Sequence, residues 1–115
     1  MVDNLQEITL DLNFKLPEPS PNVAWQSPRN NGNFYRSNFP LTISMDFINM
    51  KDVSVATLKY EGGVSNTIGE INTTNGNHVL KWAIAPVAGS YNLFVEFTKN
   101  GGKITSDKVT INVQE

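Results

Sequence analysis

Residues 90–97 read SYNLFVEF, and Tyr91, Leu93, Val95 and Phe97 fall on every second position. That is the period of a β-strand with one buried face, because successive side chains of an extended chain point to opposite sides. Immediately afterwards residues 99–102 read KNGG, and Asn-Gly is the pair that best tolerates the positive φ values of a two-residue hairpin turn. The chain is therefore expected to reverse and return, and Val109, Ile111 and Val113 alternate along the closing strand.

The same period runs upstream. HVLKWAI (78–84) places Leu80, Trp82 and Ile84 on one face, after a turn signal at TTNGN (73–77) and a weak, polar strand at SNTIGEI (65–71). VSVATLKYEGG (53–63) aligns Ala56, Leu58 and Tyr60 and ends at a Gly-Gly turn, and LTISMDF (41–47) aligns Leu41, Ile43, Met45 and Phe47. NVAWQSP (22–28) puts Val23 and Trp25 on one face and is closed by Pro28 and the turn-rich run RNNGN (29–33). No window gives an apolar stripe at helical spacing. The fifteen asparagines favour turns and loops over helix interiors. The reading is all-β, with about seven short strands forming a two-sheet sandwich with Greek-key connections.

Ahead of these strands, ITLDLNFKL (8–16) alternates Ile8, Leu10, Leu12, Phe14 and Leu16, and PEPSP (17–21) follows with three prolines. Proline cannot donate a ladder hydrogen bond and holds the backbone extended. The expected organisation is a strand-forming arm and linker over residues 1–19 and a single domain over residues 20–115. A chain of 115 residues suits one domain plus an arm. With no cysteine it has neither a disulfide framework nor a thiolate site. Nine Lys and Arg against eleven Asp and Glu, scattered along a chain of net charge −2, leave no electrostatic footprint for nucleic acid. No stretch matches the long apolar run of a membrane span. The acidic, alternating start MVDNLQEITLDL lacks the pattern of a secretory signal, so the chain is expected to begin in the cytoplasm.

In order and spacing, four segments resemble bacterial immunoglobulin-like domains, which occur in tailed-phage structural proteins and in secreted glycan-active or adhesive proteins. PSPNVAWQSP is similar to the family's opening strand, VSVATLKYEGG to its third strand, and KNGGKITSDKVTINV to its closing hairpin. WAIAPVAGSYNLFVEF (82–97) resembles the segment in which a loop leads to Gly-x-Tyr and the tyrosine starts the sixth strand. The resemblance spans about residues 20–113. It implies an immunoglobulin-like sandwich with Tyr91 as its tyrosine corner. Two positions depart from the pattern: Phe97 stands where a small residue is more usual, and HVLKW begins with His78. The arm lies outside the resemblance.

Few residues suggest chemistry. His78 has no second histidine or cysteine to share a metal. Asp46, Asn49 and Asp52 lack the glycine and bidentate glutamate of a calcium loop and read as turn polarity. Glu61 and Glu70 are a nominal carboxylate pair with nothing to single them out. Asn72-Thr73-Thr74 matches a glycosylation acceptor and reads as a turn. No catalytic residue, metal or cofactor is expected. Trp25, Trp82, Tyr91, Leu93 and Val95 are assigned to the core. Phe94, between two inward residues, is expected to face outward, and Phe34, Tyr35 and Arg36 lie in the asparagine-rich loop; these four are the candidate surface contacts. The expected function is a non-enzymatic assembly protein, a capsid-decorating or head-associated protein on a tailed-phage virion, docking onto a protein shell or neighbouring subunits through Ile8, Leu10, Leu12, Phe14 and Leu16. The alternative is a cell-surface or extracellular accessory module that binds glycans. Nucleic acid and membrane are not expected partners.

Overall fold

In the computed structural model of the chain, residues 19–63 and 65–115 are described; the predicted arm, with Ile8, Leu10, Leu12, Phe14 and Leu16, lies outside them. The described strands are β1 (Asn22–Ser27), β2 (Gly32–Tyr35), β3 (Leu41–Ile48), β4 (Val53–Glu61), β5 (Ser65–Ile71), β6 (Gly76–Trp82), β7 (Gly89–Lys99), β8 (Gly102–Thr105) and β9 (Val109–Gln114), with one 3-10 turn at Arg36–Asn38. One sheet has the order β1-β3-β6. The other runs β2-β9-β7-β4-β5, with β8 also paired to β7. All pairs are antiparallel except β2 with β9. The chain crosses repeatedly between the sheets. β1, β3 and β6 occupy the A, B and E positions of an immunoglobulin sandwich and β4, β5, β7 and β9 the C, C′, F and G positions. This is an immunoglobulin-like Greek-key sandwich.

The alternating residues meet between the sheets as expected. Leu41, Ile43, Met45 and Phe47 of β3 face Ala56 and Leu58 of β4, Leu93, Val95 and Phe97 of β7, and Val109, Ile111 and Val113 of β9, all buried in one cluster. A strand that keeps strict period two cannot bury both Val53 and Ala56, three positions apart. A register shift between Val53 and Val55 resets the face, as a bulge does. Asn100 and Gly101 have φ of 51° and 81°, and Lys99 pairs with Gly102, which is the two-residue turn that KNGG predicts.

Three expectations are corrected. The described residues hold nine strands where about seven were expected. The added ones are β8, completing the hairpin, and β2, where the sequence suggested a loop. Pro28 stops β1 because it has no N–H to donate, and Asn31 at φ 64° turns the chain. GNFY then joins the other sheet beside β9, with Asn31 N–H donating to Thr110 O at 2.6 Å. Ile84 does not share the face of Leu80 and Trp82: β6 ends at Trp82, and Ile84 is 81% exposed. Trp25 is half-buried, packed on the core, with Nε1 donating to Asp107 O at 3.0 Å.

The resemblance also implied a tyrosine corner, and the geometry has one. Tyr91 Oη donates to Val87 O at 2.5 Å, tying the start of β7 to the loop before it. Its ring ends an aromatic row that joins both sheets: Phe39 meets Trp82 at 5.2 Å between centroids, Trp82 meets Tyr60 at 4.6 Å, and Tyr60 meets Tyr91 at 5.5 Å. Burial, then the neighbouring Tyr60, push the Tyr91 phenol above its ordinary value of 10.0. The fold therefore favours the neutral form. The stabilisation is full below the unfolded phenol value and is lost as pH rises through the folded one. Urea titrations from pH 8 to 11 are expected to show a steeper alkaline loss of stability in the parent chain than in Tyr91→Phe; equal slopes would refute this account.

Candidate functional site

The four predicted surface contacts do not form one patch. Phe34, in β2, is half-buried against the core, while Tyr35, next along the strand, turns outward and is 55% exposed. Arg36 is exposed and its Nη1 lies 3.3 Å from Glu115 Oε1. Phe94 is a correction. It does point away from Leu93 and Val95, yet it is 7% exposed. The cause lies on the outer face of the larger sheet, where Lys108 Nζ sits 5.2 Å above its ring and Lys59 is its register partner on β4. Long lysine stems cover apolar surface while their ammonium groups stay in water. Of the nominated aromatics, Trp82 and Tyr91 are buried in the core as expected. Tyr35 is the one exposed aromatic ring among the described residues.

The charged groups on that outer face are paired with one another. Lys59 and Lys103 both approach Glu96, at 3.4 and 3.9 Å, and Lys108 Nζ donates to Glu61 Oε1 at 2.6 Å. That hydrogen bond holds the Glu61 carboxyl below its ordinary value. Glu70 lies on β5, across from Thr57 and not beside Glu61. Asn49 and Asp52, weighed as calcium ligands, adopt φ of 58° and 64° in the β3–β4 connection, a conformation that Asn and Asp tolerate best after glycine. Asp46 is engaged on the outer face of the smaller sheet, accepting from Gln26 Nε2 at 2.7 Å and Asn77 Nδ2 at 3.0 Å. His78 is half-buried in β6, its ring 4.7 Å from Phe47 and its Nε2 2.7 Å from Thr74 O. Among the described residues, no three His, Cys, Asp or Glu side chains gather as metal ligands, and no helix is long and apolar enough to cross a membrane.

What the sequence did not show is a sheet edge. β6 pairs with β3 at seven consecutive positions, Gly76 to Trp82, without a register break, and has no partner on its other side among the described residues. The remaining edges are short or irregular. β2 and β8 are four residues long. Register shifts interrupt the pairing of β1 and of β5. A long regular edge is the part of a sheet most open to strand addition. Beside it, Val79 is 59% and Ile84 81% exposed.

No family model matches the chain, and no curated protein does. Among solved structures, an engineered protein from a structural-genomics consortium is similar with a TM-score of 0.60 and 16% identity, over 86% of this chain and 21% of that one. The chain therefore spans about a fifth of that protein's length. Murine CRIg aligns with a TM-score of 0.47 and 12% identity, over 84% of this chain and 98% of that one. At these identities the first likeness concerns the fold alone.

Proposed function

We propose that the chain is a non-enzymatic assembly module, an immunoglobulin-like domain that docks onto a protein shell or neighbouring subunits through the apolar strip of residues 8–16. One observation carries this reading. Among the described residues a continuous hydrophobic core runs from Val23 to Val113, and five further apolar side chains alternate ahead of it in the sequence, at residues 8, 10, 12, 14 and 16. A row of that kind suits strand addition, in which backbone hydrogen bonds give affinity and alternate side chains give register. The resemblance to bacterial immunoglobulin-like domains makes the surface of a tailed-phage virion the most concrete setting. The glycan-binding alternative draws less support. Sugar rings stack on exposed aromatic faces, and of the rings nominated for that role Phe94 is buried and Phe34 half-buried, leaving Tyr35.

Deletion of residues 1–16 tests the reading. The truncated chain is expected to keep a cooperative thermal transition and a β-type circular dichroism spectrum, and to disappear from purified particles that incorporate the full-length chain. Retention in the particles, or loss of the folded state, would refute it.

A further inference from the structure

We propose that Asn100, at the tip of the β7–β8 hairpin, is a self-modification site, where attack by the Gly101 backbone nitrogen expels the side-chain amide and water opens the resulting ring to aspartate or isoaspartate. Such a reaction needs a glycine after the asparagine, because a Cβ on the second residue obstructs the approach of its nitrogen. Three pairs in the chain meet that requirement: Asn31-Gly32, Asn75-Gly76 and Asn100-Gly101. Sequence alone ranks them equally, and the fold separates them.

At Asn31-Gly32 the attacking group is engaged. Gly32 N–H donates to Arg29 O at 3.0 Å and Asn31 N–H donates to Thr110 O at 2.6 Å, so the backbone is tied on both sides of the pair. Gly32 also pairs with Ile111 in the ladder of β2 and β9. At Asn75-Gly76 the group under attack is engaged. Asn75 Oδ1 accepts from Met50 N–H at 3.1 Å, and swinging the amide toward Gly76 N would leave that part-buried N–H unpaired, a costly change. The tip of the hairpin has no such restraint. Asn100 and Gly101 are both exposed, no heavy atom lies within 4 Å of a Cβ built on Gly101, and among the described residues no hydrogen bond holds the Asn100 amide or Gly101 N–H. Closing the ring requires the left-handed turn, with φ of 51° and 81°, to relax. At a hairpin tip that takes local fraying only.

In the first step Gly101 N bonds to Asn100 Cγ, the Cγ–Nδ2 bond breaks and ammonia leaves; the proton that Gly101 N gives to base is balanced by the one that ammonia carries away. In the second, one water opens the five-membered ring. Hydrolysis at Cγ restores the ordinary backbone with an aspartate side chain, and hydrolysis at the main-chain carbonyl carbon of Asn100 routes the backbone through the side chain as isoaspartate. The second product adds a backbone atom to a turn whose two residues set Lys99 opposite Gly102. β8 is four residues long and pairs with β7. Its Lys103 donates to Thr98 Oγ1 at 3.0 Å and lies 3.9 Å from Glu96 Oε1. Isoaspartate at the tip therefore loosens β8 and draws Lys103 away from Glu96.

Ageing the full-length protein in mildly alkaline buffer, with and without denaturing urea, tests the proposal. Peptide mapping with enzymatic labelling of isoaspartate reads each of the three pairs separately. In the folded protein, Asn100 is expected to react about 5- to 10-fold faster than Asn31 or Asn75, the factor that one hydrogen bond contributes. In urea the three rates should converge, because the restraints on Asn31 and Asn75 are then gone. If Asn31 or Asn75 keeps pace with Asn100 in the folded protein, or if Asn100 stays intact while the unfolded chain reacts, the proposal fails. A lead of Asn100 that persists unchanged in urea would also overturn it, since the selection would then belong to local sequence and not to the fold.

Discussion

Phe97→Ala is expected to destabilise the domain by about 3–5 kcal/mol, the range for removing a fully buried aromatic ring. Phe97 is fully buried, and its ring meets Phe47 edge-on, with centroids 5.4 Å apart and planes at 82°. Phe97 belongs to β7 and Phe47 to β3, so this contact bridges the two sheets. It matters more here than in disulfide-bonded relatives of the fold. The second inter-sheet cysteine of antibody domains lies two residues after the corner tyrosine, and that position is Leu93. Nothing covalent ties the sheets, so packing alone holds them. Against a total stability of about 5–15 kcal/mol for a typical domain, the loss brings the variant close to unfolding at ambient temperature. Urea titration should show the midpoint falling with an unchanged slope, and Phe97→Leu, which keeps more of the volume, should lose clearly less. A loss below about 1 kcal/mol for the alanine variant would mean that the core collapses around the gap and that the bridge is dispensable.

Phe97 also shows how legible the fold was. Its place in SYNLFVEF marked it as inward from alternation alone, because the two-residue period of a strand is a property of backbone geometry and survives any context. The same holds for β3 and β9, whose buried residues were all marked. Where the period failed, backbone irregularities were responsible. The bulge near Val53 changes which residues share a face. The switch of β1 into β2 replaces one strand by two in different sheets, and Pro28 was visible as a stop without revealing the second strand beyond it. Phe94 was assigned its outward direction from the period, but not its burial. Burial on an outer sheet face depends on the reach of Lys108 from the β8–β9 connection, and one strand's sequence does not contain that.

The candidate site was legible to a lesser degree. The alternating strip ITLDLNFKL stands out by its pattern, whereas the edge position of β6 does not. An unpaired strand has the same sequence signature as a paired one, since pairing is decided by which other strands the topology delivers to its side. Only the strand order β1-β3-β6 reveals that β6 has no second partner among the described residues. Likewise Ile84 looked like the next inward residue of β6 until Trp82 proved to be the last.

Gly62→Ala is expected to be the most damaging change at an exposed position. A methyl group on Gly62 would lie 2.6 Å from Tyr91 Cδ1 and 2.7 Å from Ser90 O. The second contact is with backbone and has no rotamer to relieve it. The ring is also held, by its hydrogen bond to Val87 O and by the edge-on contact with Tyr60. Accommodating the methyl group therefore means separating β4 from the start of β7 or breaking the tyrosine corner. Overpacking costs about 1–3 kcal/mol, and losing the corner's hydrogen bond adds about 0.5–1.5 kcal/mol. The adjacent Gly63 provides the control. At φ 91° with no heavy atom near a Cβ, Gly63→Ala meets only backbone strain, on the order of 1 kcal/mol. Equilibrium unfolding of Gly62→Ala, Tyr91→Ala and the double variant separates steric from backbone effects. Because removing the ring relieves the first contact, the double variant should be less destabilised than the sum of the singles by at least about 0.5 kcal/mol. Strict additivity would show that Gly62 acts through its own backbone and not through the tyrosine that anchors β7.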